Sequence, residues 1–239
     1  MRIIRYVYRK KECWGGIPPG SDRIIPGGIP LSRVRLLAPA LPTKVVLAGL
    51  NFRRHAVEMK LPVPKQPVIF MKPLTALIGP GETIVYPRWV GRLDYEAELA
   101  LVIGKTARNI PERKARGYIL GYTCLNDVTA RDLQKKDGQW TRAKSFDTFC
   151  PIGPWIETSF DPSRARIRAI LNGRVMQDAP TADFIFPPSY MVSFVSRVMT
   201  LYPGDVISMG TPGGVGRMKT GDSIAVEIEG IGRLENRVA

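Results

Sequence analysis

A mixed α+β chain is predicted, with one large domain over residues 45–239 and a small β-rich lobe over residues 1–44. Three observations lead there. Short apolar runs such as VVLAGL, VIFMKP and GYILGYTCL have strand length and are separated by turn chemistry, in a chain of 239 residues with 23 Gly and 21 Pro. Helical spacing is confined to a few short segments. The stretch Asp94–Lys105, DYEAELALVIGK, alternates with a period of two, as a half-buried strand does.

Taken in order, Ile3–Tyr8 reads as a short strand, and WGGIPPG and PGGIP as turns. With Val34–Leu37 they make a lobe too small to stand alone, packed on the larger domain. The Pro-rich piece Ala38–Lys44 is the predicted boundary. Val45–Leu50 reads as a buried strand, after which Asn51 can cap a helix over Phe52–Lys60. Val68–Pro73 is a strand with Lys72 at its end, where the head group can reach an anionic ligand. Pro111–Ala115 forms a helical turn, Gly117–Leu125 a strand, and Thr129–Lys135 a helical segment. Asn172-Gly173 marks a hairpin, Tyr190–Leu201 a helix, and Gly221-Asp222 with IEGIG a last hairpin.

The chain carries 35 Lys and Arg against 21 Asp and Glu, a formal charge of +14. Half of that excess falls in residues 1–44, with nine basic and two acidic side chains. Such a balance raises nucleic-acid binding as a non-enzyme alternative. No zinc-ligand spacing, basic helix or RNA-recognition aromatic motif accompanies it, so a basic solvated surface or a field that draws in anionic small substrates is preferred. No apolar run approaches 18 residues, and the first residues lack a signal peptide's apolar core, so a cytoplasmic protein is expected. Cys13, Cys124 and Cys150 are odd in number and far apart, against a disulfide framework or a structural zinc.

Chemistry centres on the acidic face of Asp94–Lys105. Tyr95, Ala97, Leu99 and Leu101 share one face, Asp94, Glu96 and Glu98 the other. At about 3.3 Å per residue, Glu96 and Glu98 stand roughly 6.6 Å apart and point the same way. A solvated acidic edge is the plain reading. A hard cation that takes oxygen ligands from both is the functional one. Asp127, at the end of the next strand, is either a helix cap or the third carboxylate of an oxygen-rich site suited to Mg²⁺ or Mn²⁺. His55, the one histidine, shares a helix face with Glu58, three residues on. The pair is either a surface neighbourhood or a dyad that activates water or moves a proton. Lys144 precedes a turn-rich segment. The loop Gly210–Gly216, with four glycines in seven residues, can bring backbone amides close to an anion.

In order along the chain, GLNFRRHAVEM (49–59), FMKPLTALIGPGETI (70–84), LDYEAELALVIGK (93–105), GYTCLNDVTARDLQ (121–134), AKSFDTFCPIGP (143–154), YPGDVISMGTPGGVG (202–216) and TGDSIAVEIEGIGRLENRV (220–238) resemble the fumarylacetoacetate hydrolase family. The motifs are closest to acylpyruvate hydrolase, oxaloacetate decarboxylase and 2-hydroxyhepta-2,4-diene-1,7-dioate isomerase members. The resemblance implies a β-roll or partly open barrel, assembled as a homodimer, with Mg²⁺ or Mn²⁺ on Glu96, Glu98 and Asp127. It implies Lys144 beside metal and substrate, Lys72 and Thr211 on the substrate's anionic end, and Arg131 and Gln134 on a substrate carboxylate. His55 and Glu58 match the dyad of the family's lid. Leu50 and Phe52 depart from the Arg and Tyr that many relatives carry beside Asn51.

The activity so implied is metal-dependent hydrolysis or decarboxylation at a C–C bond of a 2-oxo or 1,3-dicarbonyl acid, such as an acylpyruvate or oxaloacetate, through an enolate. Isomerisation of a 2-hydroxy-diene dioate, or dehydration of a 2-oxo-3-deoxy sugar acid, are alternatives.

Overall fold

The structure, a computed structural model, describes residues 1–58 and 62–239, with His55 and Glu58 described by backbone alone. Its frame is a ten-stranded mixed sheet built around the strand Ala97–Ile103. That strand pairs antiparallel with Ile119–Asn126 on one side and with Val206–Ser208 on the other. Val206–Ser208 pairs in parallel with Val45–Ala48, which pairs with Ile69–Lys72. A five-stranded sheet packs against this one, and smaller sheets of three and two strands complete the β structure. Helices are few, the longest being Pro188–Val198, which starts on Pro188 in its first turn. Mixed sheets with few helices are therefore observed. Among the described residues no sheet closes into a barrel, and no helix is long and apolar enough to cross a membrane.

The period of two along Ala97–Ile103 holds, but the expected solvated face does not exist. Ala97, Leu99, Leu101 and Ile103 enter the main core with Tyr122, Val195 and Val226. Ala100 and Val102 enter a second core with Val45, Leu47, Leu125 and Ile152. Burial on both faces stabilises the strand by about 1.5–3 kcal/mol for each large side chain. It also carries the two acidic residues at its start into the interior. The stretch is not one strand, either. Leu93–Tyr95 belongs to the three-stranded sheet, and the chain changes sheets at Glu96. Asn126 fixes that change by accepting the Glu96 amide on its side-chain oxygen at 3.0 Å.

Residues 1–44 add strands to the large sheet. Arg2–Tyr8 pairs with Cys150–Glu157 at one edge and with Lys11–Ile17 at the other, and a small core of Ile4, Tyr6, Ile17 and Ile24 lies beneath. The hairpin at Asn172-Gly173 joins Arg166–Leu171 to Arg174–Pro180 as read from the sequence. All three cysteines are free.

Asn51 does not cap the helix next to it in the chain. Its side chain is buried and holds two other chain segments, donating to Phe186 O at 3.1 Å and Met209 O at 2.8 Å and accepting from Phe186 N at 2.7 Å. The helix, Arg53–Glu58, is instead met by Asp183, which accepts the Arg54 amide at 3.1 Å. The expected continuation to Lys60 lies outside the described residues.

Candidate metal centre and its cavity

Pairing register brings the acidic residues together. Ala97 lies opposite Asn126, so Asp127 stands across from Glu96, tied by its amide to Glu96 O at 2.9 Å. Glu98 comes next on the same side of the strand. One carboxylate oxygen from each of Glu96, Glu98 and Asp127 lies within 4.8 Å of the others, and all three residues are buried. The metal-ligand set expected from the sequence is thus one cluster.

Each carboxylate meets a different environment. Glu96 accepts from Lys144 Nζ at 2.8 Å and from Arg131 Nη2; burial opposes its ionisation, but Lys144 and Arg131 outweigh it and bring Glu96 down to about 2. Asp127 accepts from Lys144 Nζ at 2.5 Å on one oxygen. Its other oxygen, Oδ1, pairs with Lys72 Nζ at 2.7 Å, an ammonium that also donates to Val128 O and Phe149 O. Among the described residues Glu98 accepts only from Ser208 Oγ at 2.5 Å and Gly210 N at 2.9 Å. Burial, then repulsion from Asp127 and Glu96, pushes its carboxyl well above the usual range.

These observations fit a divalent cation. The donor set is all oxygen, as Mg²⁺ and Mn²⁺ prefer. Among the described residues Lys144 pairs with Glu96 and Asp127, and Glu98 has no ion-pair partner, so a buried carboxylate lacks the direct countercharge that a cation at the cluster would supply. Lys144 ends the short helix Thr141–Lys144 and remains protonated in the interior: burial lowers its pKa, but Asp127 and Glu96 raise it further.

A cavity of about 470 Å³ opens on this cluster. Glu96, Asp127 and Lys144 lie on its wall with Arg131, Gln134 and Thr211, and Phe70, Leu50 and Trp140 make it apolar elsewhere. Arg131 and Gln134 are one helical turn apart on Arg131–Asp137 and hydrogen-bonded to each other. Thr211 donates to Ala97 O at 3.0 Å and accepts from Gln177 at 2.9 Å. Gly210 takes φ = +82°, and a side chain there would stand 3.1 Å from Asn51 Cβ and 3.3 Å from Ala48 O. The glycine lets the loop turn its amide onto Glu98. The side chains of His55 and Glu58 lie outside the described residues; their helix begins three residues beyond cavity-lining Leu50.

Lys72 is placed differently from the expectation. Three acceptors, Val128 O, Phe149 O and Asp127, draw its ammonium inward, so it braces a carboxylate from behind and is absent from the cavity wall. Asp94, read on the same acidic face as Glu96 and Glu98, is no member of the cluster; both its oxygens hold arginines, Arg92 and Arg131. Sequence reasoning missed the roles of Arg92, Asp94 and Ser208. Only Asp94 carried a signal, its place two residues before Glu96.

Comparison with known proteins agrees with this arrangement. Residues 44–239 match the family model described as fumarylacetoacetate (FAA) hydrolase C-terminal. The mitochondrial oxaloacetate tautomerase of Rattus norvegicus is 40% identical over 222 residues, 88% of this chain and 71% of that protein. The crystal structure of 5-carboxymethyl-2-hydroxymuconate delta-isomerase from Mycobacterium smegmatis superposes with a TM-score of 0.94 at 44% identity, covering 100% of this chain and 98% of the other. That of 2-hydroxyhepta-2,4-diene-1,7-dioate isomerase from Mycobacterium marinum gives 0.92 at 41% identity, covering 100% and 98%. With four-fifths of its length inside the family model and these relatives aligned beyond it, the chain belongs to the fumarylacetoacetate hydrolase family.

Proposed function

We propose that this chain is a divalent-metal-dependent enzyme, with Mg²⁺ or Mn²⁺ on Glu96, Glu98 and Asp127, that acts on a 2-oxo acid through its enolate. One observation carries the reading: three buried carboxylates, one of them without an ion-pair partner among the described residues, converge beside a cavity that also presents Lys144 and Arg131. When bound there, the cation supplies Lewis acidity that favours the enolate. Lys144 adds fixed positive charge where negative charge develops, already oriented by Glu96 and Asp127. Arg131, held by Asp94 and Gln134, offers a further cationic group for a substrate carboxylate. Phe70, Leu50 and Trp140 limit water along the wall, which strengthens these charge interactions.

Relocation of a proton, as in tautomerisation or isomerisation, is the outcome best supported. Relatives named for those reactions are 40–44% identical over most or all of the chain. A second reading, hydrolysis or decarboxylation at a C–C bond, starts from the same enolate. It is favoured by the presence in the sequence of His55 and Glu58, a pair able to act on water, on a helix that starts three residues after cavity-lining Leu50. The deciding experiment strips the protein with chelator, restores Mg²⁺ or Mn²⁺, and tracks the enol of oxaloacetate by ultraviolet absorbance with pyruvate measured alongside. Metal-dependent loss of enol beyond the protein-free control, without matching pyruvate, is expected. Pyruvate released from oxaloacetate or an acylpyruvate at the rate of enol loss selects the second reading. Turnover unaffected by chelator overturns both.

A further inference from the structure

Five ion-paired links run along one wall of the cavity, and the charges alternate. Arg92 Nε donates to Asp94 at 2.8 Å, and Arg131 Nε donates to the other Asp94 oxygen at 2.9 Å. Arg131 Nη2 then reaches Glu96, Lys144 bridges Glu96 at 2.8 Å, and Lys144 meets Asp127 at 2.5 Å. The row has a direction. Exposure of the cationic members falls from 47% at Arg92 to 15% at Arg131 and 2% at Lys144, while the carboxylates between them are buried. Arg92 therefore stands at the open end and the metal cluster at the closed one.

The two arginines differ in what they have left to offer. Arg131 spends Nε on Asp94, Nη1 on Gln134 and Nη2 on Glu96. Arg92 spends only Nε on Asp94; among the described residues neither of its Nη groups makes a hydrogen bond. Asp94, fully buried, thus fixes a guanidinium whose remaining edge is open to the cavity it lines. A planar fork of this kind matches a carboxylate. Lys135 lines the same cavity and is exposed.

The charge balance points the same way. The cavity wall carries four cationic side chains, Arg92, Arg131, Lys135 and Lys144, and three carboxylates, Asp94, Glu96 and Asp127. Off the wall, Glu98 adds a fourth carboxylate at the cluster and Lys72, 2.7 Å from Asp127, a fifth cation. A bound divalent cation would leave a surplus of positive charge to be met by substrate.

We infer that Arg92 sets selectivity among the 2-oxo acids this site takes, by pairing its free guanidinium edge with a second carboxylate at the end of the substrate remote from the metal. The inference rests on the proposed metal site and adds a residue and a selectivity to it.

Titration calorimetry of the Mg²⁺-loaded protein tests it with three stable probes. Oxalate reports the closed end alone. 2-Oxoglutarate and 2-oxopentanoate have the same carbon chain length and differ by one carboxylate. Wild type should bind 2-oxoglutarate at least about tenfold more tightly than 2-oxopentanoate, the scale of one charge-assisted bidentate pair. Arg92→Met should bring that ratio close to one and leave oxalate affinity unchanged, and Arg92→Lys should recover part of the ratio. A ratio that persists in Arg92→Met overturns the inference, as does an equal loss of oxalate binding. Absence of Mg²⁺-dependent oxalate binding in the wild type overturns the metal site itself, and the inference with it.

Discussion

Two buried carboxylates stand near opposite ends of one strand pair, and their surroundings could hardly differ more. Asp205 precedes the strand Val206–Ser208, whereas Glu98 lies beside that strand's other end. Asp205 accepts from Thr43 N at 2.8 Å, Thr43 Oγ1 at 2.7 Å, Lys44 N at 3.1 Å and Tyr202 N at 2.7 Å, and also from the Lys44 ammonium. Burial pushes Asp205 up, but the hydrogen bonds from Lys44, Tyr202 and Thr43 outweigh it and hold the group below the usual carboxylate range. Glu98 has two donors and two like-charged neighbours, and is pushed the other way. A compensated charge of the first kind pins the linker at Thr43-Lys44 to the sheet. An uncompensated one is tolerated where something else is meant to bind.

The sharpest way to break this contrast is Glu98→Gln. The substitution removes a cation ligand, so Mg²⁺ binding should vanish and turnover should fall by at least about a hundredfold. It also removes a repulsion in the metal-free protein, so the metal-free melting temperature should hold or rise. Calorimetric titration and thermal melts in chelator check both halves. Retained turnover would remove Glu98 from the ligand set; a large drop in metal-free stability would show that its charge is already compensated.

Asp205→Ala should do the reverse. It strands the donors of Thr43, Lys44 and Tyr202 and should cost about 2–4 kcal/mol, since removing one partner of a buried network leaves the others unmet. Mg²⁺ affinity should not change. Because the folded-state pKa of Asp205 is depressed, its contribution is complete above the unfolded carboxylate pKa and is lost as pH falls through the folded value. Urea unfolding at neutral pH and in acid should therefore show wild type and Asp205→Ala converging on acidification. A gap that stays constant with pH would mean the loss is packing alone.

The same contrast separates what is legible in the sequence from what is not. Period two along Ala97–Ile103 and the order of apolar runs place the central strands and the carboxylates of Glu96, Glu98 and Asp127, because strand register is set by local alternation. Asn51 reads as a cap from its neighbours in sequence, yet its partners are Phe186 and Met209, over 130 residues away. Lys72 points to a ligand because it ends an apolar run; its acceptors Val128, Phe149 and Asp127 come from later segments. A polar side chain in the interior goes where unmet groups are, and those are supplied by the tertiary fold. Nothing near Ser208 in the chain announces that its hydroxyl ends on Glu98.

That hydroxyl gives the smallest and most discriminating effect. Ser208 Oγ donates to Glu98 at 2.5 Å and favours the ionised carboxyl against burial and its acidic neighbours. Ser208→Ala should raise the Glu98 pKa further, so that cation and proton compete less equally for the same oxygens. Mg²⁺ affinity at neutral pH should fall by about tenfold, the low end for loss of a group that orients a metal ligand. The deficit should shrink as pH rises, because the proton that the hydroxyl helped to expel is then removed by the solvent. Titrations of wild type and Ser208→Ala with Mg²⁺ across a pH series read this directly. A deficit independent of pH would assign Ser208 to ligand orientation alone. No deficit at all, with a lower melting temperature, would make the hydroxyl a packing group like those around Asp205 and remove the distinction drawn between the two ends of the strand pair.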